Sequence, residues 1–80
     1  MDIVVAWLAR YDWFTRLPQT WKQVAHRLVV ELSAEKFTGL PALHEALSAQ
    51  DLSAVWDALE NEDLPDKTVD MIDAMVGRKR

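Results

Sequence analysis

The chain contains no cysteine, and of its 80 residues only two are glycine and three are proline. Without cysteine there is no disulfide framework, no thiolate metal site and no thiol nucleophile. Gly39 and Gly77, alone and far apart, cannot build a glycine-rich phosphate loop. Long apolar runs are missing as well. The longest stretches free of ionisable side chains, such as 3–9 and 37–43, hold seven residues, whereas a membrane span needs about twenty. No membrane partner is therefore expected. Met1-Asp2-Ile3 lacks the basic start of an export signal, so a cytoplasmic location is expected. Nowhere do side chains alternate with the period of two that a half-buried strand requires. Leu-Ser-Ala recurs at 32, 47 and 52, but without a fixed period it makes no repeat.

What is present suits a folded globule: half the residues are hydrophobic, 28% are charged and four are tryptophan. The length allows one domain, placed at 1–77, with a basic tail at 78–80. The net charge of −4 is unevenly distributed. Residues 1–50 balance five acids against five bases. Residues 51–76 set eight acids against Lys67 alone, a balance of −7, and Arg78-Lys79-Arg80 return +3. A stretch so acidic is either a solvated face or a surface that steers a basic partner.

Helical spacing runs through almost the whole chain, and it predicts an all-α bundle of about five short helices. Ile3, Val4, Trp7, Leu8, Tyr11 and Phe14 share one face of a first helix that stops before Pro18. Thr20 and Gln23 match a capping box opening a second helix. Its buried stripe is Trp21, Val24, Ala25, Leu28, Val29 and Leu32, and Gly39 is its expected left-handed stop. Pro41 starts a third helix carrying Leu43 and Leu47. Ser48 is the expected cap of a fourth, which carries Leu52, Val55, Trp56 and Leu59. Val69, Ile72, Met75 and Val76 mark a fifth, ended by Gly77.

Catalytic constellations are thin. His26 and His44 sit in different helices with no second ligand at metal-binding spacing, and 57–66 lacks the central glycine of a calcium loop. The reading is a non-enzyme with no catalytic residue, no cofactor and no metal. A helix-turn-helix DNA binder is the alternative, built from the second and third helices. Charge disfavours it, because the would-be recognition helix offers only His44 and Glu45 among ionisable groups.

Apolar residues that the core stripes leave over give the best functional clue. Val5 and Trp13 fall away from the first stripe. Trp13 is flanked by Arg10 and Arg16, as a hot-spot anchor would be. Val30 lies opposite the second stripe, beside His26 and Lys22, with Phe37 joining that face if the helix runs so far. Trp7, Trp21 and Trp56 are assigned to the core.

The function expected is a small acidic module of bacterial or phage type that docks on another protein. It would act as an inhibitor, adaptor or regulator. An antitoxin or a structural homodimer is a further alternative. Two contact regions are expected: Trp13, Arg10, Arg16 and Val30 on one side, and the acidic face Asp57, Glu60, Glu62, Asp63, Asp66, Asp70 and Asp73 on the other.

Overall fold

The computed structural model describes residues 2–77; the basic tail lies outside them. Seven helices follow in order: α1 (Ile3–Leu8), α2 (Asp12–Arg16), α3 (Gln19–Leu32), α4 (Ala34–Thr38), α5 (Pro41–Ser48), α6 (Leu52–Ala58) and α7 (Asp66–Met75). There is no strand among the described residues. The chain is a single all-α unit.

Seven helices replace the expected five because two of the expected helices are broken, and burial explains both breaks. In an unbroken helix Leu8 and Leu17, nine residues apart, would point in opposite directions at 100° per residue. The chain instead leaves the helix after Leu8, passes through extended backbone at Tyr11 (φ −92°, ψ 121°) and restarts at Asp12. Leu8, Phe14 and Leu17 are then all buried. The second break follows the same logic. Phe37 would oppose Leu28 if the helix ran on, yet both are fully buried. Ser33, at φ 87° and ψ 153°, turns the chain between α3 and α4 so that Phe37 faces inward. The expectation that Phe37 would join the Val30 face is thus corrected.

The helix ends also differ from the expected ones. Pro18, in extended backbone, precedes α3, and no side chain caps that helix, so Thr20 is not its cap. Asp51, not Ser48, caps α6: its carboxylate accepts the Ala54 amide at 3.2 Å. Gly39, at φ −84°, is not left-handed. That role falls to Gln50 (φ 56°) after α5, where the Asp51 amide donates to the Ala46 carbonyl and the Gln50 amide to Leu47. These two bonds are the Schellman arrangement. Gly77 (φ 70°) does end α7 as expected.

Helix α3 is the centre, packed by α1, α2, α4 and α7, while α5 and α6 form a tight pair. The largest fully buried side chains include Phe37, Leu8, Leu28, Leu43, Leu47 and Ile72, drawn from five helices. Trp7, Trp21 and Trp56 pack against this core as expected, each only half-buried. The radius of gyration of 11.6 Å agrees with about 12 Å for a compact chain of this length. No helix among the described residues is long and apolar enough to cross a membrane.

Candidate partner-binding site

Helix α1 lies on α3, and its N-terminal end meets the middle of α3 at a polar contact. Asp2 caps α1 by accepting the Val4 amide at 2.8 Å. Its other carboxylate oxygen accepts a hydrogen bond from His26 Nε2 on α3, also at 2.8 Å. A carboxylate only accepts, so Nε2 carries the proton. The His26 hydrogen bond foremost, then that of the Val4 amide, holds the Asp2 carboxyl below the usual carboxylate range. Beside this pair opens a groove of about 400 Å³, floored by Val5 and Phe14 and edged by Gln19, Lys22 and Gln23. The Lys22 ammonium sits 6.0 Å from the Phe14 ring centre, at the outer range of a cation–π contact.

Three large apolar residues of α1 and α3 are left in solvent, among them Ile3, which was expected on the buried stripe of the first helix. Ile3 is 84% exposed, Val30 50% and Val5 40%. Val5 lines the groove, Ile3 follows Asp2 in the chain, and Val30 lies one helical turn beyond His26 on α3. Val30, one of the expected contact residues, is therefore at the surface. Helix α3 buries Val24, Ala25, Leu28, Val29 and Leu32 and needs nothing further from it.

Trp13 is placed differently. It is half-buried and stacked on Tyr11, with ring centres 5.3 Å apart and planes at 28°. Around it Trp7, Tyr11, Phe37 and His44 form one aromatic cluster. His44 stacks on Phe37 at 4.6 Å and donates from Nε2 to the Phe37 carbonyl at 2.7 Å. Offset and edge-to-face ring pairs of this kind stabilise beyond their buried area. The Arg10 guanidinium lies over the Trp7 ring of this cluster at 5.0 Å. Arg16 ends α2 and is exposed. Trp13 is thus one wall of an aromatic cluster and not a lone projecting anchor.

The acidic face is narrower than expected. Asp73 is 6% exposed and accepts the Trp56 indole N–H at 3.2 Å, so it belongs to the interior between α6 and α7. Glu62 pairs with Lys36 at 3.0 Å, tying the segment after α6 to α4. Asp57, Glu60, Asp63, Asp66 and Asp70 remain exposed. Asp66 and Asp70 lie one turn apart on α7 and face solvent. Asp73 continues that spacing, but the indole of Trp56 claims its carboxylate.

Asp2, His26 and Lys22 were not singled out as contact residues, and the sequence carried little signal for them. Asp2 and His26 are 24 residues apart and meet only because α1 folds back on α3. Among the described residues no group of three or more His, Asp or Glu is placed to hold a metal ion. No serine or threonine lines the Asp2–His26 groove, so the pair has no hydroxyl there to activate. The expected helix-turn-helix pair is interrupted by α4. Three residues also join α5 to α6, where the second helix carries Asp57 and its cap Asp51. Carboxylates there repel the phosphates that a groove-reading helix must approach. No known family, curated protein or solved structure matches this chain.

Proposed function

We propose that this protein is a small binding module that docks on another protein through the face shared by α1 and α3, acting as an inhibitor, adaptor or regulator. The observation that carries this reading is the exposure of Val5 in the groove beside the Asp2–His26 contact, with Val30 exposed one turn along α3 from His26. Apolar side chains exposed beside a groove with polar edges suit partner burial better than permanent hydration. The polar rim supplies hydrogen-bond partners of both kinds: the amides of Gln19 and Gln23, the Lys22 ammonium and the Asp2 carboxylate.

The test is capture of a defined partner by the purified chain, repeated with Val30→Asp and Val5→Asp. Both positions are exposed, so circular dichroism should be unchanged while capture falls about tenfold or more. Undiminished capture by both variants overturns the α1–α3 face. Trp13→Ala, run alongside, reports on the aromatic cluster. Loss of capture there, with α1–α3 variants unaffected, would move the docking face to α2.

A further inference from the structure

Helix α5 is unusual in having two apolar faces. Leu43 and Leu47 are fully buried on one. Toward the other, Ala42, Ala46 and Ala49 follow one another at i, i+4 and i+7, with Glu45 among them; Ala42 and Ala49 are exposed, and Ala46 is buried at the border with the core. Helix α6 presents Ala54 and Ala58 to the same side, with Asp57 between them and Asp51 at its cap. Together these two faces form an open groove of about 400 Å³ whose lining is five alanines and three carboxylates. It shares no residue with the groove beside Asp2 and His26.

We infer that the α5–α6 groove is a second docking site, and that its occupant is an amphipathic helix of a partner protein with Lys or Arg along one side. Two facts about the groove select this occupant. Its walls are helix faces at the i, i+3, i+4 spacing by which a third helix packs, and alanine side chains let the axes come close. Its charge is of one sign. Glu45, Asp51 and Asp57 come from two different helices, and no cationic side chain among the described residues pairs with any of them. A helix that lays its small or apolar side on the alanines, with Lys or Arg along the edges, brings the charge opposite to Glu45, Asp51 and Asp57. This site goes beyond the α1–α3 reading and does not depend on it.

The probe is a capped alanine–lysine peptide of about eighteen residues, long enough to be substantially helical, with its lysines on one face. It is titrated into the isotopically labelled full chain and followed by NMR. Shift changes should concentrate on Ala42, Ala46, Ala49, Ala54 and Ala58. Affinity should fall about tenfold as the screening length shrinks from about 30 Å to about 8 Å. Asp57→Lys should weaken binding about tenfold, and Ala42→Trp, at an exposed position that fills the groove, should do the same. Asp70→Lys and Val5→Asp should leave it within about twofold, separating this groove from general acidity and from the α1–α3 face. The inference is overturned if the α5–α6 resonances do not move. It is equally overturned if a peptide of the same composition with lysines all round binds as well, or if Asp70→Lys weakens binding as much as Asp57→Lys. Shifts in those residues with protein concentration alone would assign the groove to a second copy of the chain and also overturn it.

Discussion

Ser33 occupies a backbone region, φ 87° and ψ 153°, that is almost reserved for glycine and costs other residues about 1–3 kcal/mol. Its hydroxyl partly offsets this by accepting the Lys36 amide at 3.3 Å as the cap of α4. Replacing a cap by glycine costs only a few tenths of a kcal/mol, so Ser33→Gly should raise stability by about 1 kcal/mol. Ser33→Ala keeps the strain and loses the cap, and should lower stability by about 1 kcal/mol. Urea unfolding of the two variants should therefore move in opposite directions; movement in the same direction would remove strain from the account. Asp73 makes a second prediction. Asp73→Ala leaves the Trp56 indole N–H without this acceptor and should cost about 1–3 kcal/mol, while Asp73→Asn retains an acceptor and most of the stability. Asp2 supplies a pH signature. Its ionised form binds His26 and the Val4 amide and has a lowered folded pKa. Its contribution is complete above the ordinary carboxylate range and is lost as pH falls through the lowered value. Hydrogen exchange at Val4 and Val5 should accelerate in that acid window, and in Asp2→Asn the acceleration should be absent.

At the scale of elements, the short helices exist because tertiary burial overrides local continuity. Phe37 sits on a helix of five residues that no isolated peptide would form. It is nonetheless fully buried, and the rings of Trp7, Tyr11 and His44 surround it. Phe37→Ala should cost about 3–5 kcal/mol, and loss of the near-UV signal from the neighbouring tryptophans should accompany it. A cost under about 1 kcal/mol would mean that α4 docks only loosely. The apolar stripes of α3, α5 and α6 were legible in the sequence from their 3.6-residue period, whereas α7 buries Thr68 and Asp73 beside Ile72, and Val69 of the expected stripe is not buried. The breaks at Ala9–Tyr11 and at Ser33 were not legible. Neither is marked by proline or glycine, and each is forced by where Leu17 or Phe37 must point.

For the molecule as a whole, most helix pairs in contact are close in sequence: α5 with α6, α3 with α4, α2 with α3. Local topology of this kind predicts folding in about microseconds to milliseconds, measurable by temperature jump. The docking of α7 on α3 and of α1 on α3 closes the longer loops, so destabilising changes there should act mainly on unfolding rates. The same docking assembles the candidate site. Val30 was legible as apolar and off the core stripe of its own helix. Its neighbours around Asp2 and His26 were not, since a residue at position 2 has no visible relation to one at position 26 until α1 folds back.

The sequence alone determined the helical class, the single domain and the charge imbalance. These depend on composition and on short-range periodicity, which each residue carries with it. It also pointed to Val30 as an apolar side chain left out of the core. Only the tertiary structure decided that Trp13 belongs to an aromatic cluster, that Asp73 is interior, and that Asp51 and Asp57 of α6 share a groove with Glu45 of α5. Those outcomes depend on which helix faces which, and that is settled by three-dimensional packing and not by any residue's place along the chain.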